Sequence, residues 1–191
     1  MNKLYAAFLI FLSYFLLVTF SPKNVDSASK QTATANKISE MSENTETAIL
    51  AGGCFWCMEH PYEDLPGVSK VISGYTGGEK KNPTYKEVAS GSTMHVEAVE
   101  IHFNPAKISY NDILEIFWRN IDPTDAGGQF VDRGKQYTTG IYYKNEQQKQ
   151  AAQESKKRIE DSKRFSKKIV TKMVQAGPFY RAEEYHQDFF K

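Results

Sequence analysis

Gly53-Cys54-Phe55-Trp56-Cys57 holds the only two cysteines of the chain, three positions apart. The apolar run Ala48-Ile49-Leu50-Ala51 just before them reads as a strand, and the spacing predicts a helix beginning at or near Cys54 and running to about Tyr62. A thiol in the first turn of a helix faces unpaired backbone N–H groups and the positive end of the helix dipole. Both favour the thiolate, the reactive form of cysteine. Thiols at i and i+3 share a helix face and can close a disulfide. Closing so short a loop removes little unfolded-state entropy, so it stabilises weakly. The pair therefore reads as a dithiol that cycles, with an inert buried cysteine as the bland alternative.

Other residues have the right types for chemistry. Val96 to Phe103 alternates with period two, so Glu97, Val99, Ile101 and Phe103 share one face and Val96, Ala98, Glu100 and His102 the other. The first is the expected core face. A carboxyl placed there is pushed toward protonation by desolvation, which suits a general acid at neutral pH. By residue type alone, a solvated glutamate at the end of the strand is the commoner outcome. Phe55 and Trp56 suit either an apolar cage or plain core. Most of the eleven tyrosines are expected to pack as amphipathic side chains. His60, His95, His102 and His186 lack the paired spacing of a zinc site and read as surface or supporting histidines. Gly74 to Gly78 lacks the lysine and hydroxyl residue that end a P-loop. No metal, flavin or nicotinamide site is expected, so reducing power has to come from a partner.

The elements that must position these groups follow from the remaining pattern. Strands are expected over Thr47–Ala51, Val68–Gly74, Val96–Phe103, Thr138–Tyr143 and Ile169–Val174. A glycine-containing loop runs from Gly74 to Gly91. Ser109 caps a helix through Trp118 whose stripe is Ile113, Ile116, Phe117 and Asn120, ended by Asp122-Pro123. Glu146 to about Arg164 reads as a charged surface helix, and Gly177-Pro178-Phe179 leads into an aromatic tail. This order predicts an α+β fold: a two-layer sandwich with a mostly antiparallel mixed sheet, helices packed on it, and a ferredoxin-like core.

The chain has 191 residues. One lysine and then the uncharged, mostly apolar run Leu4–Phe20 make residues 1–28 read as a signal peptide or N-terminal membrane anchor, and the protein as exported. Residues 29–46 are polar and read as a disordered linker, which leaves 47–191 as one catalytic domain. Twenty-four basic against twenty-three acidic side chains give a net charge of +1, so a nucleic-acid partner has no electrostatic support.

Gly53-Cys54-Phe55-Trp56 with Glu59 resembles peptide methionine sulfoxide reductase of the A type. Gly67-Val68, Gly74-Tyr75-Thr76-Gly77-Gly78, Asn82-Pro83-Thr84-Tyr85-Lys86-Glu87-Val88, His95-Val96-Glu97, Asp122-Pro123-Thr124, Asp132-Arg133-Gly134-Lys135-Gln136-Tyr137 and Tyr185-His186-Gln187 also fall in that family's order. The resemblance covers about Ile49 to Phe189. It implies reduction of the S epimer of methionine sulfoxide, in proteins and as the free amino acid. It implies Cys54 as nucleophile, Glu97 as acid, and Phe55 and Trp56 as the methyl cage. Tyr85 and Tyr137 would hold the sulfoxide oxygen, with Asp132 helping to fix the pocket. It also implies a cofactor-free monomer recycled by a thioredoxin-like donor.

The chain departs from the family pattern in three places. Met94 stands where glycine is usual, Thr138-Thr139 where arginine-serine is usual, and Cys57 where glycine is commoner. Many members resolve the sulfenic acid with a cysteine in the C-terminal tail. Gly177 to Lys191 has none, so Cys57 is the expected resolving thiol. Two other readings of the cysteine pair are a thioredoxin-like thiol–disulfide oxidoreductase and a non-catalytic zinc- or thioether-binding module.

Overall fold

The computed structural model describes residues 45–189 and Lys191. β1 (Glu46–Gly52) leads through α1 (Phe55–Glu63) to β2 (Val68–Thr76), and α2 (Tyr85–Ala89) precedes β3 (Val96–Phe103). After α3 (Tyr110–Arg119) comes a small hairpin of β4 (Gly128–Gln129) and β5 (Asp132–Arg133), then a single 3-10 turn, Lys135–Tyr137. β6 (Thr139–Tyr143), α4 (Glu146–Asp161), β7 (Lys172–Gln175), β8 (Tyr180–Arg181) and a second 3-10 turn, Glu184–His186, complete the described chain.

Six strands form one sheet in the order β7-β6-β1-β3-β2-β8. Every neighbouring pair is antiparallel except β6 with β7. The inner strands β6-β1-β3-β2 have ferredoxin-like order. α1 carries the chain from β1 over β3 to β2, and α3 carries it from β3 over β1 to β6. The period-two pattern decides the layers. Ala48, Leu50, Val99, Ile101 and Phe103 face the helices and join the main core. Ile49, Ala51, Val96, Ala98 and Tyr142 form a smaller cluster on the opposite face, against which Ala176 and Phe179 pack.

α3 shows why a helix forms where it does. Ser109 Oγ accepts the Asp112 N–H at 3.1 Å, and Asp112 Oδ2 accepts the Ser109 N–H at 3.0 Å. This reciprocal cap is worth about 1 kcal/mol. Ile113, Leu114, Phe117 and Trp118 are its buried residues, each contributing roughly 1.5–3 kcal/mol. The buried stripe is thus rotated from the expected one: Leu114 and Trp118 replace Ile116 and Asn120. Trp118 Nε1–H donates to Ser155 Oγ at 3.1 Å, which ties α3 to α4.

Other boundaries also moved. β2 continues through Tyr75 and Thr76, residues expected in a loop, because it gains partners on both edges: Tyr75 pairs with Glu97 and with Tyr180. The last parallel strand is displaced to Lys172–Gln175, set by its register with Gly140–Tyr143 rather than by the apolar run at Ile169. α3 ends at Arg119, one residue past Trp118, and α4 ends at Asp161, a few residues before the expected Arg164. Glu46 already pairs with Phe103, so β1 begins inside the expected linker. The signal or anchor expected over 1–28, and residues 29–44 of that linker, lie outside the described residues. Among the described residues no helix is long and apolar enough to cross a membrane.

Met94 keeps the backbone that its position demands. Its φ is 61°, in the left-handed region, and its side chain is 61% exposed. A side chain there costs about 1 kcal/mol and packs little in return. Met94→Gly is therefore expected to raise Tm by about 3 °C in thermal denaturation. An unchanged or lowered Tm would mean that the Met94 side chain contributes to stability.

Candidate active site

Cys54 sits between β1 and α1, as the N-cap residue of the helix. Gly53 before it has φ 95°, and a Cβ there would lie 2.6 Å from Gln129 Cβ, so only glycine lets the chain turn here against Gln129. Cys54 is half-buried, Cys57 is exposed, and both are free thiols. Burial pushes the Cys54 thiol up to about 12, against the backbone N–H groups of Cys57 and Trp56, which favour the thiolate. The charge of Glu97 pushes it further upward. The helix start therefore acts as expected, but the low-pKa thiol it was expected to produce is absent at rest, because desolvation outweighs two N–H groups.

Glu97 lies on the core face of β3 and is 1% exposed. Its Oε2 accepts the Phe55 N–H at 3.1 Å, which joins the carboxyl to the first residue of α1. Burial raises its pKa to about 7, opposed by the Phe55 N–H and assisted by the charge of Asp132. The solvated alternative is thus excluded, and Glu97 can hold a proton near neutral pH.

Phe55 is buried and Trp56 partly buried against the core. The Phe55 ring centroid lies 5.8 Å from Trp56, 6.1 Å from Tyr75, 6.4 Å from Tyr85 and 5.1 Å from His186. Burial raises the pKa of the Tyr85 hydroxyl, and that of Tyr137 to about 12, with Glu97, Cys54 and Asp132 adding to each. Both remain neutral donors at physiological pH. These mutual influences show that Cys54, Glu97, Tyr85, Tyr137 and Asp132 share one neighbourhood, although they come from four separate segments.

Several side chains that sequence reasoning passed over also converge here. Tyr75, the cross-strand neighbour of Glu97, donates its hydroxyl to Glu183 Oε2 at 2.8 Å. Glu183 Oε1 accepts the Tyr85 N–H, also at 2.8 Å, and so anchors the start of α2. Trp56 Nε1–H donates to the His186 carbonyl at 2.9 Å, and the Phe189 ring stacks on Trp56 at 3.8 Å. His186 is buried and packs 4.3 Å from the Tyr85 ring, and burial lowers its pKa, so its ring is neutral. Neither ring nitrogen has a hydrogen-bond partner among the described residues. The signal for Tyr185-His186-Gln187 was present as a motif, but nothing in its spacing reveals that the tail folds back onto Trp56.

His95 is a supporting histidine: its Nδ1 accepts the Gly78 N–H at 3.1 Å, and its Nε2 pairs with the Lys80 carbonyl at 2.8 Å. It clamps the loop that delivers Tyr85. Glu59, Glu63 and Asp188 bring carboxylate oxygens within 4.8 Å of one another. The Lys191 ammonium already lies there, 3.2 Å from Glu63 and 2.7 Å from Asp188, as a cation supplied by the chain itself.

Comparison with known proteins agrees with this arrangement. The family model described as peptide methionine sulfoxide reductase matches residues 46–191. A protein of Bacillus velezensis named peptide methionine sulfoxide reductase MsrA is 57% identical over 151 residues, covering 79% of this chain and 85% of its own. One of Listeria innocua with the same name is 56% identical over 149 residues, covering 78% and 84%. Among solved structures, reduced Mxr1 of Saccharomyces cerevisiae superposes with a TM-score of 0.72 at 29% identity, covering 78% of this chain and 85% of that one. Methionine sulfoxide reductase A of Corynebacterium diphtheriae gives 0.69 at 31% identity, covering 77% and 74%. With its sheet order, its cysteine at the α1 cap and these relatives, the chain belongs to the A-type peptide methionine sulfoxide reductases and is an oxidoreductase.

Proposed function

We propose that the protein reduces the S epimer of methionine sulfoxide, in proteins and as the free amino acid, through a sulfenic acid on Cys54. The observation that carries this reading is the placement of Glu97. It is buried, holds its proton up to about pH 7, and is hydrogen-bonded to the N–H of the residue next to Cys54.

The chemistry follows from the coupled pair. At rest Cys54 is a thiol, and an ionised Glu97 helps to keep it so. Moving one proton from Cys54 to Glu97 creates both the nucleophile and the acid. The Cys54 thiolate attacks the sulfoxide sulfur while Glu97 gives its proton to the sulfoxide oxygen. Tyr85 and Tyr137 hold that oxygen as neutral donors, with Asp132 beside them. Phe55 and Trp56 enclose the methyl group and exclude water. The oxygen ends on Cys54 as sulfenic acid, and methionine leaves with its sulfur reduced by two electrons. Turnover of the separated epimers with dithiothreitol tests this: release of methionine from the S epimer alone is expected, and turnover of the R epimer alone would overturn it.

Cys57 resolves the intermediate in this proposal. Its thiol attacks the Cys54 sulfur, the S–S bond forms, the S–O bond breaks and water leaves. Cys57 is exposed and its N–H faces the Cys54 sulfur, so the two residues already adjoin. A thioredoxin-like dithiol then reduces the disulfide by exchange. A crystal structure of yeast Mxr1 in complex with Trx2 supports a donor of this class. On the export reading of residues 1–28, that donor works outside the cytoplasm.

Cys57→Ser is expected to release one equivalent of methionine per enzyme and then stall when thioredoxin is the sole reductant. Mass spectrometry should find sulfenic acid on Cys54 in this variant and a Cys54–Cys57 disulfide in the parent. Normal thioredoxin-dependent turnover of the variant would assign resolution to an outside thiol.

A further inference from the structure

The hairpin of β4 and β5 ends in two apolar residues that nothing in the reaction uses. Phe130 is 68% exposed and Val131 90% exposed, side by side at the tip. Phe130 has φ 51°, the left-handed region where glycine or asparagine is the usual choice. An aromatic ring in that backbone, mostly in water, gains little by packing. The stability of the fold does not account for it.

The hairpin beneath this tip is firmly built. Gln129 is 1% exposed. Its Oε1 accepts the Asp122 N–H at 2.7 Å, and its Nε2–H groups donate to the Asp122 and Gly128 carbonyls at 2.9 and 2.7 Å. Arg133 makes a paired contact with Asp125 at 2.6 and 2.9 Å. The tip is therefore presented from a fixed base.

That base belongs to the rim of the Cys54 site on both sides of the turn. Gln129, before the tip, packs on Gly53, the residue preceding Cys54. Asp132, after the tip, lies close enough to raise the Glu97 carboxyl and the Tyr85 and Tyr137 hydroxyls. A methionine sulfoxide that reaches Cys54 as part of a polypeptide carries its neighbouring residues across this rim.

We infer that Phe130 and Val131 form a subsite for apolar side chains flanking the sulfoxide in an extended polypeptide, and so favour peptide-bound over free methionine sulfoxide. The inference rests on the proposed sulfoxide reductase activity. A flank that buries against the two side chains gains binding energy that the free amino acid cannot. Apolar residues around an oxidised methionine are reached when a protein is unfolded, so the subsite selects unfolded substrates.

The test uses the full chain, saturating dithiothreitol, and three substrates. These are free methionine (S)-sulfoxide, a pentapeptide with the sulfoxide between leucines, and the same peptide with serines in their place. The variants are Phe130→Asn, whose side chain suits the backbone, and Val131→Ser. Each is expected to lower kcat/KM for the leucine peptide by about tenfold, chiefly through KM, with the free amino acid unchanged and the parent's preference for leucine over serine flanks lost. Because Val131 is almost wholly exposed, Val131→Ser keeps the test available if Phe130→Asn fails to fold. Unchanged turnover of the leucine peptide, or an equal loss on all three substrates, would overturn the subsite. So would a defect seen only with thioredoxin as reductant, which would make the tip a donor contact. Absence of turnover of any substrate by the parent would instead remove the sulfoxide reductase reading itself.

Discussion

Cys54→Ser is expected to abolish methionine release, a loss of about 10⁴-fold or more, the scale seen when an attacking group is removed. A serine hydroxyl is a poor nucleophile toward sulfur, and the site offers it little: burial already opposes charge at this position. The fold should survive. Cys54 occupies the N-cap of α1 without a side-chain capping hydrogen bond, and serine is a preferred residue at that position. Tm should therefore be unchanged or slightly raised. Methionine release, measured by chromatography, separates the outcomes. Retained turnover in a folded variant would remove Cys54 from the chemistry and, with it, the proposed mechanism.

Glu97→Gln has the second largest expected effect, a fall in kcat of about 10²–10⁴-fold. The amide oxygen can still accept the Phe55 N–H, so the start of α1 keeps its partner. What is lost is the proton delivered to the sulfoxide oxygen. The pH profile carries the diagnostic signature. The reactive pair carries one proton shared between Cys54 and Glu97, and below about pH 7 both groups are protonated, so parent activity should rise as pH rises through 7, and the variant should lack this limb. Stability runs in the opposite direction. The folded state binds the Glu97 proton more tightly than the unfolded chain does. Its contribution is complete below the ordinary carboxyl pKa of 4.5 and is lost as pH rises through about 7. The Tm difference between parent and Glu97→Gln should shift over that window. A variant within about twofold of parent activity, far short of the general-acid range, would reduce Glu97 to a strand residue that orients α1.

The tertiary structure also separates the rival readings of the cysteine pair. A C-x-x-C at a helix start is shared by unrelated redox folds, so spacing alone left a thioredoxin-like enzyme or a zinc module open. The sheet answers this through its surroundings. Glu97, Phe55 and Tyr75 lie together beside Cys54 because β1, β3 and β2 are adjacent in that order. The comparisons place that arrangement in one family.

The parts of this protein legible in its sequence are those set by local pattern. The alternation of Val96–Phe103 sets Glu97 on the apolar face, although residue type alone favours a solvated glutamate and the family resemblance is what reverses that. Ser109 with the apolar spacing after it is enough to start α3. The motif order around Cys54, Tyr85, Glu97 and Asp132 identified the family before any contact was known. Long-range pairing decided the rest. Tyr75 reads as loop until β3 and β8 flank it, and two-residue strands such as Gly128–Gln129 have no period to detect. The tail folds back to stack Phe189 on Trp56 and to bring Glu183 to Tyr75 and Tyr85, contacts that span 98 to 133 residues of sequence. Above all, local pattern gives a different charge state for Cys54 from the one the fold imposes. A helix start is a local property and favours the thiolate, whereas desolvation depends on everything packed around the sulfur. Only the folded chain sets that balance, and here burial wins.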